Sequence, residues 1–133
     1  MRRHTVFRIL TLVYLAAVAA LCFGNFQNSN QVSWTLFGIH ADKVIHFCMF
    51  FPFPVLTFFS LKLNEPRILI VLLSIVGIFA LGCLIAWGTE YVQGLLPYRT
   101  MDPADFAADR LGLICGSLMA FLLAVLVKSR KDA

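Results

Sequence analysis

Apolar residues in this chain gather into four long runs separated by short polar joints. Residues 6–23 are apolar apart from Arg8, Thr11 and Tyr14, and residues 44–61 are rich in phenylalanine and interrupted by Pro52 and Pro54. Residues 68–87 form the cleanest run, and residues 111–127 contain no charge. Each is close to the ~20 residues needed to cross the hydrocarbon of a bilayer. Backbone donors find no water there, so each segment must satisfy its own donors by forming a helix. The pattern predicts an all-α integral membrane bundle of four transmembrane helices, a single domain over residues 1–133. The joint from Lys62 to Arg67 reads as a tight turn, with Pro66 opening the third helix.

Composition agrees. Of 133 residues, 60% are hydrophobic and only 14% charged, too few charges to cover a soluble domain of this size. Arg2, Arg3, Arg8, Lys62, Arg67, Lys128, Arg130 and Lys131 fall on one side of the predicted bundle, and Lys43, Arg99 and Arg110 on the other. Eight basic residues against three, over short loops, is a positive-inside bias. Both termini are therefore expected in the cytoplasm, with residues 24–41 and 89–108 outside it. The net charge of +4 carries topology, and nothing suggests nucleic acid. A rival reading makes the first run a cleaved signal peptide, with Ala17-Val18-Ala19 as a small-x-small site. The apolar stretch continues through Leu21, Cys22 and Phe23, which favours a retained span.

Cys22, Cys48, Cys83 and Cys115 fall one to each predicted helix without a C-x-x-C pair, so no disulfide framework is supported. They read as small apolar residues. No metal site and no cofactor is expected.

Ionisable residues near the outer ends of the runs are the candidates for function, because such groups are costly beside hydrocarbon. The second helix opens Asp42-Lys43-Val-Ile-His46, and spacings of three and four place His46 over Asp42 and Lys43. N-capping suits Asp42 and snorkelling suits Lys43, while His46 lies a turn inside the apolar region and needs a partner. Pro52 and Pro54 predict a kink that frees carbonyls near Cys48 and Phe50, and the kink either shapes a cavity below His46 or is simply tolerated. The third helix ends Trp87-Gly-Thr-Glu90-Tyr91-Val-Gln93, with Trp87 and Tyr91 as an interfacial aromatic belt. A carboxylate near the negative end of a helix dipole needs a partner, for which Glu90 has His46, Lys43 or Arg99. Asp102-Pro103-Ala-Asp105 reads as a helix start, with Asp102 as N-cap and Pro103 at the first position. Capping does not account for Asp109. Asp105, Asp109, Gly112 and Gly116 share one arc of a helix, and Ala120 and Ala124 continue it as a close-packing stripe. That stripe either packs the core or forms a homo-oligomer surface.

Taken together, Asp42-Lys43-x-x-His46, Glu90-x-x-Gln93, Arg99 and Asp105-x-x-x-Asp109-x-x-Gly112 resemble the signature of VanZ-like membrane proteins, over residues 38–127. Each motif is weak alone, and their order and placement make the combination specific. The resemblance implies a multi-pass protein of the bacterial cell (inner) membrane, with a link to the cell envelope and to glycopeptide antibiotic resistance. It makes Asp42, Lys43, His46, Glu90, Gln93, Arg99, Asp105 and Asp109 candidate site positions and gives none of them a catalytic role. That family often has asparagine where this chain has Asp109. The added charge offers an extra proton site or a different partner such as Arg110.

Three functions are in competition. One is binding or modification of a membrane lipid or lipid-linked envelope precursor. There His46, Glu90 and Asp109 would form an acid/base network, the imidazole having an ordinary pKa of ~6.5. Asp42, Lys43, Gln93, Arg99 and Asp105 would contact substrate, with Lys43 and Arg99 holding an anion. No serine or cysteine stands beside His46, which disfavours covalent catalysis. The second is a structural or accessory role, with the polar cluster as an interhelical lock. The third is proton-coupled transport through His46, Glu90 and Asp109, against which stands the lack of ionisable residues in the cytoplasmic halves.

Overall fold

A computed structural model of the chain describes residues 3–25, 35–63 and 67–132. The elements are α1 (Arg3–Phe23), β1 (Thr35–Leu36), β2 (Ile39–His40), α2 (Ala41–Phe50), α3 (Pro52–Ser60), α4 (Ile68–Leu95) and α5 (Pro103–Asp132). Helices α2 and α3 continue one another, giving four segments long and apolar enough to cross a membrane: Arg3–Phe23, Ala41–Ser60, Ile68–Leu95 and Pro103–Arg130. Their outward faces carry Leu12, Val13, Leu69, Leu73, Leu84, Leu118 and Leu122, all mostly exposed. So continuous an apolar exterior belongs to a lipid-facing bundle. Inside lies a core of Phe50, Phe53, Phe58, Val71, Ile75, Ile78, Ala86, Leu113 and Ala120.

Successive spans run antiparallel. The start of α1 is held to the end of α3, where Arg8 Nε donates to the Ser60 carbonyl at 3.2 Å and the Arg3 guanidinium lies over the Phe59 ring at 5.4 Å. At the other end of the bundle, the end of α1, the start of α2, the end of α4 and the start of α5 come together.

The prolines interrupt the helical hydrogen bonds without ending the span, because Phe51 keeps right-handed helical φ and ψ of −57° and −43° and donates its N–H to the Phe47 carbonyl at 3.0 Å. Helix α2 ends at Phe50 and α3 opens at Pro52, whose missing N–H withholds a ladder bond while the two helices run on as one span. Helix α5 packs straight onto this interruption. Gly112 lies against the Phe47 carbonyl and Gly116 against the Phe51 carbonyl. A Cβ at Gly112 would also come within 3.1 Å of the Phe51 nitrogen and 3.2 Å of the Phe47 carbonyl carbon. These are backbone atoms, which no rotamer change can move aside. The small-residue stripe is thus filled by the chain itself, with Gly112, Gly116 and Ala120 buried and Ala124 packed on the core.

Two helix boundaries differ from the hydropathy pattern. The third span continues past Trp87 to Leu95, and the fourth begins at Pro103 rather than 111. Charge ends the apolar pattern at those points, but the helical ladder continues because the polar side chains face one another inside the bundle. Glu90 therefore lies more than a turn before the end of its helix. The stretch before α2, read only as a loop, contains a small hairpin in which Thr35 pairs with His40 and Leu36 with Ile39. Phe37 and Gly38 between them have positive φ of 51° and 79°, as a type I′ turn requires. The hairpin leads directly into α2, so His40 takes the N-cap position and Asp42 falls in the first turn instead of capping it. Asp102 does cap α5, its Oδ1 accepting the Ala104 N–H at 2.8 Å. Residues 26–31 of the polar stretch beginning at Asn25, together with Trp34 and Pro66, lie outside the described residues.

Gly112→Ala is expected to lower the melting temperature in detergent, with a loss of about 1–3 kcal/mol, the range for overpacking. Gly77→Ala, where a Cβ would meet nothing within 4 Å, should be neutral or slightly stabilising. Circular dichroism melts of the two variants check the contrast.

Candidate functional site

The polar end of the bundle has a buried inner group and a more exposed outer ring. His46 projects from α2 one turn below Lys43, Glu90 from α4, and Asp109 from α5 one turn above Gly112. All three are buried, Glu90 to 1% exposure and Asp109 to 0%. His46 Nδ1 lies 2.9 Å from Asp109 Oδ1, a hydrogen bond, and 3.7 Å from Glu90 Oε1. The other ring nitrogen, Nε2, faces Asp105 Oδ2 at 3.7 Å. The Asp102 backbone N–H donates to Glu90 Oε2 at 3.3 Å, which leaves Oε1 turned toward the imidazole. Glu90 Oε1 and Asp109 Oδ2 are buried without a hydrogen-bond partner among the described residues. Unmet acceptors of this kind are rare in folded proteins and costly.

Lys43 organises the outer ring. Its Nζ lies 3.0 Å from both Asp102 Oδ2 and Asp105 Oδ1, and 3.6 Å from Asp42 Oδ2. The Asp42 carboxylate also accepts the Lys43 backbone N–H at 2.9 Å. A polar path therefore leads from exposed Asp42 through Lys43 and Asp105 to His46 and Asp109. The ammonium at its centre is already shared among three carboxylates. The backbone N–H of Ala104 and the Lys43 ammonium hold the Asp102 carboxyl below its ordinary range. A carboxyl depressed in the folded state stabilises the fold above its ordinary pKa, so this contribution is intact at neutral pH and is lost as pH falls through the depressed value.

Gln93 and Arg99, expected as substrate contacts, are occupied elsewhere. Gln93 Nε2 donates to the Cys22 carbonyl at 3.0 Å, Tyr98 Oη to the Phe23 carbonyl at 2.9 Å, and Arg99 to the Leu21 carbonyl at 3.0 Å. Three consecutive carbonyls at the C-terminus of α1, which a helix leaves without internal partners, are capped by one stretch of chain. The sequence reading missed Tyr98 in this role, although its place beside Arg99 was a signal. It also missed Tyr14, whose hydroxyl donates to the Met49 carbonyl at the helix interruption. Tyr14 had been noted only as an exception in an apolar run. Trp87 and Tyr91 form the expected aromatic pair, stacked at 5.7 Å on the outside. The four cysteines are free.

Comparison with known proteins fixes the family. The family model described as VanZ/LLP1 matches residues 2–124. The chain belongs to the VanZ/LLP1 family. The match takes in α1, ahead of the stretch from residue 38 on which the resemblance rested, so the capped first helix lies within the family's shared body. An uncharacterized protein of Schizosaccharomyces pombe is 33% identical over 90 residues, which are 68% of this chain and 50% of that protein. The chain thus spans about half the length of the curated relative it matches. No solved structure matches it. In this VanZ-family chain the extra charge of Asp109 is answered by His46, while the Arg110 guanidinium lies over the Phe106 ring at 5.8 Å.

Gln93→Ala leaves the buried Cys22 carbonyl without its donor and should cost about 1–3 kcal/mol. Hydrogen exchange in the last turn of α1 should accelerate, while exchange around His46 and Asp109 stays at the wild-type level. Mass spectrometry of the protein in nanodiscs measures both.

Proposed function

We propose that this VanZ-family protein binds or modifies a lipid or lipid-linked envelope component at the His46–Glu90–Asp109 cluster, reached from the extracytoplasmic side of the bacterial cell membrane. One observation carries the reading: the cluster buries more hydrogen-bonding capacity than the fold uses, at Glu90 Oε1 and Asp109 Oδ2. By contrast Gln93, Tyr98 and Arg99 each donate to a carbonyl at the end of α1. The inner cluster retains acceptors beside an imidazole suited to proton transfer near neutral pH. An acyl chain would lie against the apolar exterior of the bundle, and the path through Lys43 and Asp105 leads toward exposed Asp42. Antibiotic susceptibility would follow from the state of that envelope component.

A structural or accessory role is the second reading, favoured by the three-donor cap on α1. The two readings assign separate residues, which makes them separable.

Asp109→Asn and Glu90→Gln keep the shape of the side chain and remove its charge. Under the proposal both variants accumulate and insert normally, yet lose copurifying lipid by about tenfold or more, the scale of one charge-assisted hydrogen bond. Lipid mass spectrometry of the purified protein and a glycopeptide susceptibility assay in cells provide the readouts. Wild-type lipid content in both well-folded variants rejects the site. The orientation is checked in a cysteine-free background. Thr100→Cys should react with a membrane-impermeant thiol reagent added to intact cells.

A further inference from the structure

The charges around the cluster pose a problem for an anionic ligand. Asp42, Glu90, Asp102, Asp105 and Asp109 converge there against one lysine and one histidine, and Lys43 is already held by three of the carboxylates. A phosphate group approaching His46 would meet net negative charge. In the inner group, two ionised carboxylates buried with a single imidazole would carry uncompensated charge even with the imidazole protonated, a costly state away from water.

We infer that His46, Glu90 and Asp109 form a binding site for one divalent transition-metal ion, which bridges the protein to the anionic head-group of its lipid. Each of the three side chains offers a ligand atom, and all three atoms lie within 4.8 Å of one another. Two ligands of an ion such as Zn2+, each about 2.1 Å from it, stand about 3–3.5 Å apart in tetrahedral geometry. The distances from His46 Nδ1, 2.9 Å to Asp109 Oδ1 and 3.7 Å to Glu90 Oε1, bracket that separation. An independent observation points the same way. Among the described residues Glu90 Oε1, which faces the imidazole, and Asp109 Oδ2 are buried acceptors with no donor, so the cluster holds oxygens free to take an ion beside the Asp109 Oδ1 that meets His46.

The surroundings fit this use. The Asp102 N–H fixes one oxygen of Glu90 and so aims the other at the imidazole, while Asp105 faces His46 Nε2 as the carboxylate partner that ligating histidines commonly have. With the ion bound, Nδ1 gives up its hydrogen bond to Asp109 and presents a lone pair. Two carboxylates, a neutral imidazole and a divalent cation then sum to zero charge. One nitrogen with two oxygens suits zinc or manganese better than calcium, which takes six to eight oxygens. Three protein ligands leave a coordination position for a phosphate oxygen. Asp42, Asp102 and Asp105 also lie within ligating distance of one another, but the Lys43 ammonium already satisfies them, so the inner site is favoured.

The inference deepens the lipid reading and rests on it only for the identity of the bound head-group. The test uses tag-free, full-length protein in detergent, stripped with a chelator and dialysed against Zn2+ or, separately, Mn2+. Wild type should take up one ion per chain by elemental analysis and melt at a higher temperature with it. Glu90→Gln and Asp109→Asn should each lower the affinity at least tenfold, and Cys48→Ser, which removes the exposed thiol, should leave it unchanged. X-ray absorption of zinc-loaded wild type should report nitrogen and oxygen neighbours only, a readout independent of whether the variants fold. Failure of stripped wild type to take up an ion, unchanged affinity in both isosteric variants, or sulfur around the zinc would each overturn the inference. Lipid is measured on the same samples. An ion bound by protein that carries no lipid upholds the metal site and rejects the lipid reading. Lipid retained in full by ion-free protein does the reverse.

Discussion

Backbone against backbone is the contact on which this bundle depends. At Gly112 and Gly116, α5 approaches the proline-interrupted span formed by α2 and α3 with no side chain between them. Lipid offers no hydrophobic drive for helices to associate, so van der Waals contact at small residues has to supply it. Pro52 and Pro54 bring the interruption to this level, and the glycines let α5 settle against it. One turn along α5 from Gly112, the same close approach carries the Asp109 carboxylate within hydrogen-bond distance of His46. A wider spacing between these helices would leave both groups buried and unpaired.

The polar residues near that end do two kinds of work. Gln93, Tyr98 and Arg99 spend their donors on the last carbonyls of α1, and Tyr14 spends its hydroxyl on Met49 at the interruption. These groups are paired and hold helices in register. His46, Glu90 and Asp109 sit deeper and remain incompletely satisfied.

The outer ring bears on what the inner group can bind. Lys43, the cation nearest the entrance, is neutralised by Asp102 and Asp105 at 3.0 Å and by Asp42 at 3.6 Å. Recognition of an anion through lysine and arginine, which the sequence suggested, would have to displace those carboxylates and the capping bond of Arg99. Coordination through a cation avoids both costs.

Four apolar runs and the positions of Pro52, Pro54 and Asp102 determined, by themselves, the class of the fold, the number of spans, the helix interruption and the cap on α5. These follow from backbone hydrogen bonding, which is local and satisfied within each segment in hydrocarbon. Helical spacing also put Asp105 and Asp109 on an inward face. What that face meets was decided only by tertiary structure. Gln93 and Arg99 looked like members of the same site as His46, because sequence order gave no means of telling the α1 carbonyls from a ligand. The spacing of Glu90 and Gln93 and the Asp102-Pro103 start carried α4 and α5 beyond their apolar runs, where hydropathy alone stops short. Charged residues end a hydropathy pattern whether they face water or one another, and only the assembled bundle distinguishes the two.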